Sequence, residues 1–382
     1  MKRSLNLLLA LLAAAAPGAV FADRIEKHLT ASAGQTLEID LRTGGGITVR
    51  PGAEGAVDVV ADRGRRNPED CEVTIESSPR GVRIASRYLG NRESNSSNLE
   101  IEVRVPRRFD VEVKTMGGGV HLEGLEGSFS GSTMGGELEL LGLTGKADLS
   151  TMGGEIHVAH GRLDGKVSTM GGDVLIEDID GNLRGSSMGG EVTYRDARRG
   201  GAGDSQGGPI VMSSMGGDVN VDTAPRGAEV STMGGDVRVR SAHDHVKAVT
   251  MGGDIRLDSV DGWVDASTMG GKVEVVVVGG GARDARRDVR LDSKSGDLRL
   301  TVPDGFAMDV DIEIAYTRNS TRRYRVISDF PLPTEDESAE WDTGNGTPRK
   351  IIRVRGRVPG GGTAARVVMS TINGDVYLKR AQ

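Results

Sequence analysis

The chain is short of the residues that build most pockets and cross-links. It holds one cysteine, Cys71, in 382 residues, so no intrachain disulfide can form and stability must come from packing. Aromatic residues make up only 3%, which argues against an outer-membrane barrel with its aromatic girdles and against a carbohydrate cleft lined by stacking rings. After residue 22 no apolar run approaches the about 20 residues that a membrane-spanning helix needs. Positive charge is also scarce, with 48 Lys and Arg against 55 Asp and Glu for a net charge of −7. Removing Lys2 and Arg3 with a leader would take the net charge from −7 to about −9. A chain of that sign repels phosphate backbones, so nucleic acid is not an expected partner. The clusters Arg63-Gly64-Arg65-Arg66 and Arg283 to Arg287 read as solvated loops. Catalytic signatures are missing as well: there is no nucleophile elbow and no phosphate-binding Gly-Lys-Ser segment. The histidines are His28, His121, His157, His160, His243 and His245, and neither close set has zinc-site spacing.

The first segment present is a leader. Met1-Lys2-Arg3, an apolar run from Leu5 to Ala16, and Ala19-Val20-Phe21-Ala22 before Asp23 predict a signal peptide over residues 1–22, cut after Ala22. No cysteine follows the cut, so no lipid anchor is expected. Export to the periplasm is the default expectation, with the cell surface or secretion as the alternative.

Glycine is abundant, at 57 residues, and it recurs at a fixed period. Methionines preceding Gly-Gly stand at Met116, Met134, Met152, Met170 and Met188, each 18 residues after the last, and the step resumes at Met215, Met233, Met251 and Met269. The interval from Met188 to Met215 is 27 residues, and its extra nine fall in the polar Gly-rich stretch Asp196 to Gly208. Degenerate copies stand at Lys294-Ser295-Gly296-Asp297 and Thr371-Ile372-Asn373-Gly374-Asp375, with a forerunner at Thr43-Gly44-Gly45-Gly46. Within one copy, residues 251–268 alternate apolar and polar positions twice with glycine-rich breaks, which predicts two short strands and no amphipathic helix. One such unit cannot bury its apolar side, but stacked copies can. The expected fold is all-β: a parallel β-solenoid with 18-residue rungs and β-rich caps at both ends, a rod on the order of 40 Å long at strand spacing. The expected divisions are the N-terminal cap at 23–114, the repeats at 115–297 and the C-terminal cap at 298–382. The corner itself stays ambiguous. Counting back by twos from Leu257 and Ile255 puts Met251 inside, whereas counting forward from Val264 and Ala266 puts Thr268 inside and Met269 outside.

The segment Val103-Arg104-Val105-Pro106 to Val111-Glu112-Val113-Lys114-Thr115, the Thr-Met-Gly-Gly-acid copies and the closing Thr371-Ile372-Asn373-Gly374-Asp375-Val376 together resemble the bacterial putative-adhesin family of repetitive β-strand domains. That family has no agreed function and is similar to auto-transporter adhesin head domains. The resemblance spans about Leu37 to Leu378 and implies a β-solenoid of the cell envelope. The uniform methionine before Gly-Gly departs from its looser pattern.

Four candidate chemistries lie on the repeat. The acidic ladder Glu137, Glu155, Asp173, Glu191, Asp218, Asp236 and Asp254, broken by Lys272, could hold calcium between stacked carboxylates; the bland alternative is that each acid bonds its turn and faces water. The Thr/Ser ladder Thr115, Thr133, Thr151, Thr169, Ser187, Ser214, Thr232, Thr250 and Thr268 would suit an ice-binding face if exposed and flat. Stacked methionines could hold Cu(I) through thioether sulfur or simply fill the core. A polysaccharide-active β-helix enzyme would need a break with paired carboxylates or basic residues, and the break offers Tyr194, Arg195, Asp196, Arg198, Arg199 and Asp204. The reading that follows is a non-catalytic envelope protein, a scaffold or binding surface for an envelope protein or surface polysaccharide. A calcium-stabilised solenoid and an envelope-stress accessory protein are the alternatives.

Overall fold

The computed structural model describes residues 24–64, 71–89, 99–196, 208–279, 287–320, 322–333, 335–342 and 347–381. The leader expected at residues 1–22, residues 65 and 66, most of the loop after Asp196 and residues 283–286 lie outside these.

Every regular element among the described residues is a β-strand, and the strands join one hydrogen-bonded network. Through the repeats the pairing is parallel, and like stands on like. Val120 pairs with Leu138 and Leu138 with Ile156, while Thr133 pairs with Thr151 and Thr151 with Thr169. Parallel strands need long connections, and here the second strand and the corners of each copy supply them. Residues that alternate in the sequence alternate in burial: Ile255–Thr268 reads inward at Ile255, Leu257, Val260, Val264, Ala266 and Thr268. Valine, leucine and isoleucine fill the narrow interior, and Phe109 and Phe129 are its largest fully buried side chains. Such branched side chains suit a pleated surface buried on one face.

The 27-residue interval leaves the stacking intact. Ser187 pairs directly with Ser214, and the amide of Gly216 donates to the carbonyl of Met188 at 2.9 Å. The same holds near the C-terminus, where Ser293 pairs with Thr371 and Leu298 with Val376. Residues between these two copies form an excursion that stacks on the last copy: Phe306–Thr317 pairs parallel with Gly361–Ile372 and antiparallel with Arg349–Val358, and Val326–Ser328 pairs parallel with Val376–Arg380.

Antiparallel pairing marks both flanks. Arg24–Thr30 pairs with Ala56–Asp62, which pairs in turn with Glu100–Val105, and Cys71–Ser78 forms a hairpin with Gly81–Tyr88. Parallel pairs of Thr36–Leu41 with Asp110–Thr115 and of Gly46–Pro51 with Val120–Glu123 join this region to the repeats.

A second bend runs up the repeats in left-handed backbone. Gly124 (φ 68°), Gly142 (φ 63°), His160 (φ 57°) and Asp178 (φ 50°) occupy equivalent places in successive copies. Where glycine gives way to His160 and Asp178, the two side chains pair at 3.2 Å, which partly offsets the cost of that conformation for a residue with a Cβ.

Candidate functional site

The repeated Ser-Thr-Met-Gly-Gly-acid corner is the most regular feature of the molecule, and its residues do different work. The threonine points inward. Thr151 Oγ1 donates to the carbonyl of Gly136 in the preceding copy at 2.8 Å and accepts the amide of Gly154 in its own turn at 3.2 Å. The same pair of bonds recurs at Thr169, Ser187, Ser214, Thr232 and Thr250. One buried hydroxyl thus closes a turn and ties it to its neighbour. The ice-binding reading fails here, because all nine ladder hydroxyls are buried and present no face to water.

The methionine points outward. The nine ladder side chains lie between 44% exposed at Met134 and 57% at Met116, whereas Met212, Met308 and Met369 are buried. Core filling is therefore excluded for the ladder. The forward count of the alternation holds: Thr268 is in and Met269 is out. The backward count fails because Met269 and Gly270 both face outward in succession, which shifts the period by one before Gly271 and then Val273 lie inside.

The second glycine is required by crowding. A Cβ on Gly136 would lie 1.7 Å from the carbonyl oxygen of Gly118, and one on Gly154 2.0 Å from that of Gly136. The first glycine is less crowded: nothing stands within 4 Å of a Cβ on Gly135, and the nearest atom to one on Gly270 is the Gly252 carbonyl oxygen at 3.2 Å.

The acid faces water and bonds the neighbouring copy. The Asp173, Asp218, Asp236 and Asp254 Oδ1 atoms accept the amides of Glu191, Asp236, Asp254 and Lys272 at 2.7 to 2.9 Å. Lys272, which interrupts the ladder, lies 3.9 Å from Asp254. Glu191 accepts from the hydroxyl of Thr193 at 2.6 Å and from the side-chain Nδ2 of Asn220 at 2.7 Å. Glu137 and Glu155 hold the equivalent places in earlier copies. Among the described residues no three His, Cys, Asp or Glu side chains come together as a metal-binding group.

The break after Tyr194 borders a shallow depression of about 390 Å³, lined by Glu191, Thr193, Tyr194, Arg195, Asn220, Asp222, Arg238 and Arg240. Its arginines are committed to ion pairs: Arg195 with Glu177 at 3.2 Å, Arg238 with Asp258 at 3.3 Å and Arg240 with Asp222 at 2.6 Å. Asp196 follows Arg195 in the chain but is not among the residues lining the depression, and residues 198, 199 and 204 lie outside the described residues. The histidines pair with acids across copies, His121 with Glu139 at 2.7 Å and His157 with Glu177 at 3.1 Å. His245 stacks on Trp263 at 4.8 Å.

One cluster escaped the reading of aromatic scarcity. In the C-terminal excursion Tyr316 meets Trp341 edge-on at 5.8 Å and Tyr324 at 6.4 Å, with Lys350 Nζ 5.7 Å over the Trp341 ring. Burial and a hydrogen bond to Glu337 push the Tyr316 phenol up to about 12. A signal was present, because Phe306, Tyr316, Tyr324, Phe330, Trp341 and Tyr377 concentrate half of the chain's 12 Phe, Tyr and Trp residues in its last fifth.

An all-β molecule of parallel, like-on-like strands whose repeated residues are spent on stacking belongs with the repetitive β-strand proteins. The family model Toastrack DUF4097 matches residues 35–321, and the chain belongs to that family. A solved structure described as a "putative adhesin" from Parabacteroides distasonis is 16% identical, with 66% of this chain and 95% of that one covered and a TM-score of 0.37. A "putative adhesin" from Bacteroides fragilis is 13% identical over 93% of this chain and 96% of that one, with a TM-score of 0.21. No curated protein matches the chain.

Proposed function

We propose that the protein is an exported, non-catalytic component of the cell envelope. In this reading it is an adhesin-like β-solenoid of 18-residue rungs, capped at both ends, that serves as a scaffold or binding surface. The observation that carries the reading is how the repeated polar groups are used. The threonine hydroxyls, the second glycines and the aspartates all act between successive copies, so among the described residues the repeated polar groups are spent on stacking. The registers of Thr133 on Thr151 and Leu138 on Ile156 support the rung length, and the antiparallel pairs at each flank support the caps, which would blunt exposed strand edges. The relatives named as adhesins agree with a contact role by name alone. The surface offered to a partner, an envelope protein or a surface polysaccharide, is a mixed array of acids, arginines and histidines spread over the rungs.

Contact distributed in this way predicts graded behaviour. Purified full chain should bind isolated envelope material, single outward substitutions such as Glu139→Ala should leave binding within about twofold, and losses should accumulate over several rungs. Abolition of binding by one such substitution, or turnover on a panel of envelope polysaccharides that Asp196→Ala removes, would overturn the reading in favour of a discrete site.

A further inference from the structure

Of the side chains in the Thr-Met-Gly-Gly-acid corner, the methionine's alone has no structural reason. Threonine closes the turn, the second glycine avoids a clash and the aspartate bonds the next rung, but the methionine projects into solvent and its place in the fold does not require it. It nevertheless occurs in all nine rungs from Met116 to Met269, while another outward column, five residues on, drifts through His121, Glu139, His157, Leu175, Thr193 and Asn220. The column stays continuous across the longest interval: the amides of Gly216, Gly234 and Gly252 donate to the carbonyls of Met188, Met215 and Met233 at 2.9 to 3.0 Å. A plain apolar ridge on a strand edge would accept leucine or a β-branched residue, and neither appears once. The property common to the nine positions is an accessible thioether.

We infer that the methionine column binds soft monovalent cations, Cu(I) or Ag(I), between thioethers of neighbouring rungs. Thioether sulfur prefers soft ions over the hard cations that carboxylates take. Two sulfurs each about 2.3 Å from one ion, the length of a zinc–sulfur bond, lie at most about 4.6 Å apart, close to a strand step of about 4.8 Å. Methionine's three rotatable bonds let neighbouring sulfurs adjust to that span. The first glycine of the corner adds no side chain beside the methionine, and in seven of the nine copies an Asp or Glu three residues on places negative charge beside the column. A carboxylate ladder alone would favour calcium; thioethers beside it select a soft cation and the negative charge raises its local concentration.

The test uses the full chain labelled with ¹³C at the methionine methyls and titrated with Ag(I) in chloride-free buffer, with bound metal counted by equilibrium dialysis. The nine ladder resonances should shift while those of buried Met212, Met308 and Met369 stay in place, with about four ions taken up, one per pair of rungs. A chain carrying Met152→Leu, Met170→Leu, Met188→Leu, Met215→Leu and Met233→Leu should lose about half or more of that uptake, and Cys71→Ser should retain it. Unmoved ladder resonances, uptake abolished by Cys71→Ser, or full uptake by the leucine chain would each overturn the inference. Because the methyl spectrum is read on the unsubstituted chain, the result stands even if the leucine chain does not fold.

Discussion

Gly153 and Gly154 adjoin in the sequence and differ in what they tolerate. The nearest atom to a Cβ on Gly153 is 3.8 Å away, whereas a Cβ on Gly154 would overlap the Gly136 carbonyl at 2.0 Å. Gly154→Ala should destabilise by about 3 kcal/mol and Gly153→Ala by no more than about 0.5 kcal/mol, read from denaturant midpoints at constant slope. Thr151 gives a second contrast. Thr151→Val keeps the shape but removes the partner of a part-buried carbonyl and a part-buried amide, at a cost of about 1.5 kcal/mol. Thr151→Ser keeps both bonds, as Ser187 and Ser214 do, and should cost under about 1 kcal/mol. These roles were half legible. The recurrence of Thr or Ser before Met-Gly-Gly pointed to a corner, but glycine's close approach to the preceding carbonyl depends on an atom 18 residues away, which no local pattern displays.

At the scale of the element, strands are held in register by side chains as well as by their ladder. Asp236 Oδ1 accepts the amide of Asp254 at 2.7 Å. Asp236→Asn retains that acceptor and should change stability by less than about 0.5 kcal/mol, whereas Asp236→Ala should cost about 1 kcal/mol; an equal loss in both would mean that charge matters more than the bond. Near the N-terminal flank, Glu100 stands opposite Asp62 on an antiparallel pair. Burial, then the charges of Asp62 and Glu102, raise its carboxyl above the ordinary value. A raised carboxyl favours the fold in its protonated form, so this contribution is complete below the unfolded-state pKa and is lost as pH rises through the folded value. Glu100→Gln should therefore stabilise the chain slightly at pH 7, by no more than about 0.3 kcal/mol because water screens this exposed carboxylate, and the gain should vanish towards acid pH in paired melts. The alternation of Leu37, Ile39 and Leu41 made such strands plain in the sequence. Their partners were hidden, because Glu100 meets Asp62 across 38 residues of irregular spacing.

For the whole molecule, repetition was the legible part. Parallel stacking places equivalent residues over one another, so a period in the sequence becomes a direction in space. Interruptions were less legible. The Thr371 copy sits directly on the Ser293 copy although the whole excursion from Phe306 intervenes, and Tyr316, Tyr324 and Trp341 meet only through that excursion. The facing of the methionines was hidden for a simpler reason: two valid counts of the same alternation disagree across a corner where Met269 and Gly270 both turn outward. That facing is the centre of the account, since it separates residues that build the rod from the one that the rod displays. Mild peroxide treatment of the folded protein followed by peptide mapping tests it directly, because accessible methionines oxidise to sulfoxide and packed ones do not. The account predicts sulfoxide at Met116, Met134, Met152, Met170, Met188, Met215, Met233, Met251 and Met269, with Met212, Met308 and Met369 unmodified; protection of the ladder methionines in the folded chain would contradict it.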